Sequence, residues 1–285
     1  MPPIPLPDFP GLENVSVMLT GASDGIGKQA AKILSSRVGQ LVLHGRNPGK
    51  LQAVAESLMP QARAEICTEI ADLSSLAETR SLAERVAQKY PRLNLLINNA
   101  GVMMDRELKT PDGLELSFMV NYLAPFTLSL SLSPHLVRNA PSRLVLLGSL
   151  SHRLVRLRPD NLQGWGGKIN FMRYARNKLA LTSFGRHFGR TLSATGLSLV
   201  IVHPGVVPTT KVYDVPLLKP FGQTPYQAAL ALLSAALDPL YANFKGVYFE
   251  GQQVSNPSKQ ARDESFGEML WQESLKLSGL EGWQL

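Results

Sequence analysis

Along the chain, short unbroken apolar runs are separated by longer stretches in which apolar and polar positions recur with helical spacing. The first run, "VSVMLTG" (residues 15–21), is β-branched and apolar and closes on glycine, the composition of a buried strand. A helical pattern follows from about residue 25 to residue 37, then a second strand, "QLVLHG". In "NPGKLQAVAESL" Asn47 precedes Pro48, which makes Asn47 the expected N-cap with proline at the first helical position. "AEICTEI" reads as a third strand. "SSLAETRSLAERVAQKY" reads as an amphipathic helix with Leu76, Leu82 and Val86 along its apolar side.

The alternation continues through "LNLLIN", a helical region from about residue 111 to residue 138, "RLVLLGS", a helix containing "YARNK", and "LSLVIVH". A helix near Pro225–Leu237 precedes "GVYFE". The strand runs are continuously apolar, as expected when helices cover both faces of a parallel sheet. Strands separated by helices of this length give right-handed βαβ units. No internal repeat or linker interrupts them, so the expected fold class is α/β, a single domain built on one doubly wound parallel sheet.

Composition narrows the function classes. With 44% hydrophobic and 18% charged residues among 285, the chain lies far from the signature of disorder. One cysteine, Cys67, excludes an internal disulfide and any cluster of thiolate ligands, and no metal site is expected. Its setting, "EICTE", suits a small buried residue of a strand. The start, "MPPIPLPDFPGLEN", lacks the basic and apolar regions of a signal peptide. No stretch approaches the roughly 18 unbroken apolar residues of a membrane span; "LAPFTLSLSLSPHLV" is broken by serines, prolines and a histidine. The expectation is a cytoplasmic protein without a membrane span. The net charge of +7 is spread, densest at Arg153, Arg156 and Arg158. A scattered surplus suits a solvated surface or anionic ligands, and no stripe or reading motif points to a nucleic-acid partner.

Candidate chemistry begins at "TGASDGIG", where Gly21, Gly25 and Gly27 enclose Ser23, Asp24 and Ile26. Glycines here let the chain turn tightly and bring backbone N–H groups to a pyrophosphate, while the following helix offers its N-terminus to the charge. A glycine-rich turn without a ligand is the alternative, but a loop that leaves the first strand and opens the first helix is the context of a nucleotide site in a Rossmann-type fold. The second strand ends "LHGRN": Gly45 and Arg46 stand where an NAD site carries an acid for the ribose 2′-OH. An arginine fork suits a 2′-phosphate, so NADP(H) is expected over NAD(H), with Asn47 beside it; otherwise Arg46 faces water.

The motifs that follow fall in the order of the short-chain dehydrogenase/reductase family, and the chain resembles that family over nearly its whole length. "TGASDGIG" looks like its glycine motif, and "ADL" places Asp72 and Leu73 where the family meets the adenine ring. "NNAG" places Asn99, Ala100 and Gly101 at its cofactor-lining signature, and "VNYLAPF" places Asn121 on its catalytic asparagine. Ser149 in "LLGSLSH", Tyr174 and Lys178 in "YARNK", and Pro204, Gly205 and Val207 in "HPGVV" complete the set. The spacing from Ser149 to Tyr174 and the C-terminal "LWQESLKLSGL" most resemble the retinol-dehydrogenase-like and WW-domain-oxidoreductase-like branch, without the N-terminal hydrophobic anchor of its membrane-bound members. The family commonly has serine at Asn177 and a serine pair at Gly148–Ser149; neither change removes a reacting group. The resemblance implies a cofactor-binding region of about residues 13–110 and a catalytic and substrate region of about 111–285.

On a helix Tyr174 and Lys178 share a face one turn apart. A free tyrosine titrates near pH 10, and a nearby lysine cation favours its phenolate; two residues on a wet helix face are the bland alternative. Ser149, from a strand end, can donate to a substrate oxygen. The resemblance implies that Lys178 also holds the nicotinamide ribose and that Asn121 organises a water leading from Lys178 to solvent. The implied reaction is hydride transfer between NADPH and a carbonyl carbon, with Tyr174 protonating the oxygen. His152 near Ser149 suggests a hydrolase, but no G-x-S-x-G elbow surrounds Ser149; His152 is expected as a polar loop residue at the rim and His203 as structural.

Segments 150–172 and 206–221 are expected over the site, offering Leu150, Leu154, Trp165, Phe171, Met172, Val207, Val212, Tyr213 and Phe221. They suggest an apolar or aromatic ketone or aldehyde, or the matching alcohol. The rival from another class is a non-catalytic NADPH-sensing regulatory or scaffold protein, which would typically lose the tyrosine or lysine. In the family the tyrosine helix often packs on its counterpart in a homodimer, and Phe184 and Phe188, four apart, suit either that contact or the chain's own core.

Overall fold

β1 (Ser16–Leu19) is buried at all four positions and runs parallel to β2 (Gln40–Gly45) on one side and β4 (Leu93–Asn98) on the other, Val17 pairing with both Leu41 and Leu95. β3 (Glu65–Ile70), β5 (Ser142–Leu147), β6 (Leu197–His203) and β9 (Lys245–Glu250) extend this parallel sheet, and β10 (Gln253–Ser255) closes one edge antiparallel to β9. The eight strands lie in the order β10-β9-β6-β5-β4-β1-β2-β3. Two-residue strands β7 (Thr209–Thr210) and β8 (Tyr213–Asp214) pair apart from it. This computed structural model describes residues 6–7, 9–167, 169–210, 213–214 and 222–285, with backbone alone at 209–210 and 213–214.

Among the described residues seven helices cover both faces, which explains the buried central strands β1, β4, β5 and β6. On one side α1 (Gly25–Ser35), α2 (Pro48–Leu58) and α6 (Pro225–Leu237) bury Ala30, Leu34, Leu51 and Leu232 against Val17 and Leu41. On the other, α3 (Leu76–Lys89), α4 (Leu116–Arg138), α5 (Asn170–Thr191) and α7 (Glu264–Ser278) bury Leu82, Phe118, Phe184 and Leu270 against Met18 and Leu96. The fold is the expected doubly wound one. Strand order reverses between β1 and β4, and that switch point opens a crevice at the strands' carboxyl ends.

Local chemistry sets the element ends. Asn47 Oδ1 accepts from the Lys50 N–H at 2.9 Å, so the expected cap forms, with Pro48 following it. The helix expected from about residue 111 starts only at Leu116. Pro111, Asp112 and Gly113 form a turn, with Gly113 at φ 81°, and the Glu115 carboxylate caps the helix by accepting from the Phe118 N–H at 2.7 Å. A π-helical turn at Met119–Leu123 carries Asn121. By length and composition α4 is apolar enough to cross a membrane, but 89% of its most apolar window is buried inside the protein, as befits a core helix.

The sequence pattern did not single out α7. Asp263 caps its start and Gly279, at φ 60°, ends it. Its Trp271 packs within 6.2 Å, centre to centre, of the rings of Phe126, Phe184, Phe188 and Trp283. Phe184 and Phe188 are thereby covered by their own chain and buried to 2% and 0% exposure, which is the core alternative of the two the sequence left open.

Candidate active site

The carboxyl ends of the central strands meet around a cavity of about 710 Å³. After β1 the chain reverses through Gly21 and Gly25, at φ 69° and 52°. A methyl group added at Gly21 would lie 2.8 Å from the Cα of Ala100, and one at Gly27 would lie 2.1 Å from the Gly21 carbonyl. Only glycine permits this approach of loop, helix and β4 end. The "NNAG" segment secures it. Asn99 Nδ2 donates to the carbonyls of Thr20 and Gly21 at 2.8 and 3.2 Å, and the N–H groups of Asn99 and Ala100 both donate to Thr20 Oγ1 at 3.0 Å. Asp24 caps α1 by accepting from the Gly25 N–H, and Ser23 and Ile26 complete this wall.

At the end of β2 the His44 ring ties three segments together. Its Nδ1 accepts from the Gly21 N–H at 3.4 Å, so Nε2 carries the proton and donates to the Ala71 carbonyl at 3.1 Å. Burial pushes its pKa down to about 4, keeping it neutral. Next come Gly45, Arg46, Asn47 and Lys50, the last three exposed and all on the cavity wall. Arg46 makes no ion pair among the described residues. Asp72 and Leu73, just past Ala71, line the wall as well.

The other end gathers the reactive groups. Lys178 is 2% exposed, donates from Nζ to the Leu147 carbonyl at 2.6 Å, and lies 5.6 Å from the Tyr174 ring centre. Burial lowers its pKa to about 7. Ser149, half-buried at the end of β5, accepts from the amide and hydroxyl of Ser151 at 3.3 and 2.9 Å. Asn121 is fully buried behind the wall, its side-chain amide exchanging two 2.7 Å hydrogen bonds with the backbone of Val102. A methyl group on Gly101 would stand 3.2 Å from Asn121 Oδ1 and 4.0 Å from Lys178 Nζ, so the three adjoin. His203, Pro204, Gly205 and Val207 close the far side, and burial drives His203 to about 4.

Every residue expected at the cofactor lines this one cavity, as do Ser149, Tyr174 and Lys178; Asn121 alone stands behind it. Of the expected substrate residues, Leu150, Leu154, Phe171 and Val207 line it, whereas Trp165 and Met172 do not. Val212 and Phe221 lie outside the described residues, as does the Tyr213 side chain. Arg153 reaches the cavity but pairs with Glu250, and Arg158 pairs with exposed Asp160. The reading of His152 as a rim residue is corrected. It is fully buried, its Nε2 accepts from the Ser258 N–H at 2.9 Å, and its Nδ1 therefore donates to the Ser149 carbonyl at 2.6 Å. It holds the backbone of Ser149 and has no role as base to its hydroxyl. The sequence reading missed His44, Val102 and Val120 on the wall, and it placed Ser151 and Val206 within the segments expected over the site without singling them out.

Comparison with known proteins bears on this arrangement. The family model described as short chain dehydrogenase matches residues 15–215. The chain belongs to that family. It is 33% identical over 281 residues to retinol dehydrogenase 13 of Homo sapiens, covering 93% of this chain and 85% of that protein. It is 35% identical to retinol dehydrogenase 11 of Homo sapiens, covering 93% and 86%. Among solved structures, a protein from Mycobacterium paratuberculosis superposes with a TM-score of 0.78 at 25% identity, over 98% of this chain and 97% of that one. A short chain dehydrogenase of Burkholderia cenocepacia in complex with NADP shares the fold, with a TM-score of 0.66 at 24% identity over 88% and 99% of the two chains. This short chain dehydrogenase is thus an oxidoreductase of the retinol-dehydrogenase-like branch, acting on alcohol and carbonyl groups with a nicotinamide cofactor.

Proposed function

We propose that the chain is an NADP(H)-dependent reductase of apolar or aromatic aldehydes and ketones, able to run in reverse on the matching alcohols. The observation that carries the cofactor preference is the pair of cations, Arg46 and Lys50, beside Gly45 on the cavity wall where β2 ends. A phosphorylated dinucleotide fits the residues present. The crowded glycine loop brings backbone to the cavity, the N-terminus of α1 faces it, and the two cations suit a 2′-phosphate.

When bound, the cofactor supplies or accepts the hydride. The Ser149 hydroxyl donates to the substrate oxygen and orients it. The Tyr174 phenol, whose ring centre lies 5.6 Å from the ammonium of Lys178, gives its proton to that oxygen in reduction and takes it back in oxidation. Lys178 donates to the Leu147 carbonyl and is 2% exposed, so when protonated its charge acts on Tyr174 with little screening. Asn121 fixes the 101–102 backbone beside both.

Leu150, Leu154, Phe171, Val206 and Val207 support an apolar substrate, and the names of the relatives make retinaldehyde the first compound to try. A non-catalytic sensor has no use for the retained tyrosine–lysine pair. The test is NADPH and NADH absorbance with retinaldehyde, decanal, cinnamaldehyde and menadione. Oxidation of NADPH well ahead of NADH by at least one of them is expected; no oxidation of either cofactor by any would overturn the reading.

A further inference from the structure

Ser149 has a hydrogen-bonding arrangement that its place at a strand end does not require. It caps the short 3-10 turn Leu150–Leu154 with an extended backbone, φ −155° and ψ 144°, and its Oγ accepts from the Ser151 N–H at 3.3 Å. The Ser151 hydroxyl lies 2.9 Å from the same oxygen. A hydroxyl has one proton and two lone pairs. Either serine can donate to the other, and the surroundings choose. Ser151 is 6% exposed, and among the described residues no other acceptor stands within reach of its hydroxyl. If Ser149 donated to it, the Ser151 proton would have no acceptor in the protein on a residue only 6% exposed, which costs roughly 1–3 kcal/mol. If Ser151 donates, its own proton is satisfied, and the Ser149 proton is left to the cavity that both serines line.

We propose that Ser151 is a positioning residue of the reaction. Its amide and hydroxyl together occupy both lone pairs of Ser149 Oγ, so that Ser149 can only donate, and only towards the reacting oxygen. The consequence is directional. A carbonyl or alkoxide oxygen is bound by Ser149, whereas an alcohol proton finds no acceptor there and is left to Tyr174. Fixing the rotor before substrate arrives places a donor without reorganisation at the step where charge develops on oxygen. His152 holds the same residue from behind through the Ser149 carbonyl, so backbone and hydroxyl of Ser149 are fixed by two successive groups.

The inference rests on the proposed role of Ser149, and the experiment separates the two. Ser149→Ala, Ser151→Ala and Ser151→Thr are compared with the parent on whichever of the four carbonyl compounds it reduces fastest. Ser151→Ala should lower kcat about 5- to 20-fold with the KM for NADPH unchanged. Ser151→Thr, which keeps the hydroxyl, should return kcat to within about 2-fold of the parent, an effect that mere support of the turn would not give. In the Ser149→Ala background the Ser151→Ala change should cost nothing further. A loss with Ser149→Ala and none with Ser151→Ala would overturn the positioning role alone, as would equal losses with Ala and Thr. Parent-like turnover of Ser149→Ala, or no turnover of any compound by the parent, would overturn the underlying reading together with it.

Discussion

The ammonium of Lys178 stands 5.6 Å from the centre of the Tyr174 ring, one helical turn along α5, with the Leu147 carbonyl as its hydrogen-bond acceptor at 2.6 Å. In the proposed reaction the phenol is the proton donor of the site. Tyr174→Phe keeps the ring and removes the proton. It should lower turnover by a factor on the order of 10² or more while leaving NADPH affinity nearly unchanged, because the lost interaction acts in the transition state. Steady-state reduction kinetics with cofactor titration check both halves, and near-parent turnover would refute the assignment.

Cofactor choice is the second expectation. A charge-assisted hydrogen bond contributes roughly 1.5–3 kcal/mol, or about 10- to 150-fold in affinity. Arg46→Ala should therefore raise the KM for NADPH by about 10-fold, towards the low end because Lys50 remains, and barely alter that for NADH. Gly45→Asp should shift preference further by setting a carboxylate against the phosphate. The added Cβ would meet Leu51 Cδ1 at 3.2 Å, so that side chain must shift by a few tenths of an ångström to admit it. Comparing kcat/KM for the two cofactors in parent and variants decides it, and equal use of both by the parent would mean that Arg46 faces only water.

A third expectation concerns α7. Trp271 joins Phe126, Phe184 and Phe188 from α4 and α5 to Trp283. Trp271→Ala should cost about 3–5 kcal/mol of stability, since a cavity opens among rings that cannot collapse together. Urea unfolding followed by circular dichroism reads this as a lowered midpoint. A change below about 1 kcal/mol would show that the cluster is replaceable.

The sheet was legible because its strands are buried on both faces and so carry a signal independent of their neighbours. The glycine loop and the Tyr174–Lys178 pair were legible because each packs its chemistry within a few residues. What escaped depends on contacts distant in sequence. α7 is recognisable by its Asp263 and Gly279 ends, but its burial comes from Phe184 and Phe188 on a helix roughly 80 residues earlier. His152 read as a rim residue because its partner, the Ser258 N–H, lies 106 residues away. The start of α4 falls five residues later than the apolar pattern suggests because Pro111, Asp112 and Gly113 form a turn ahead of it.

The last expectation is acid sensitivity. His44 and His203 are 3% and 7% exposed, and burial holds both near pKa 4. Arg85 adds to the lowering of His44, and Asp72 and Glu69 oppose it; around His203, Glu250 opposes while His152, Arg153 and Lys178 add to it. In the unfolded chain a histidine titrates near pH 6.5. Between about pH 6.5 and 4 the unfolded state therefore binds more protons than the folded one, and stability falls as pH falls. The stabilisation is fully present above pH 6.5 and is lost towards pH 4, by roughly 3 kcal/mol per histidine across the whole window. Lys178 titrates between about 7 and its unfolded value of 10.5, so it does not contribute there. His44→Gln removes one titration while keeping a side-chain amide donor near the Nε2 position that serves the Ala71 carbonyl. Urea midpoints measured at half-unit steps from pH 7.5 to pH 4 should decline less steeply for this variant than for the parent. Carboxylates protonate equally in both, so the difference between the two curves isolates His44, and parallel curves would show that it is not held neutral by the fold.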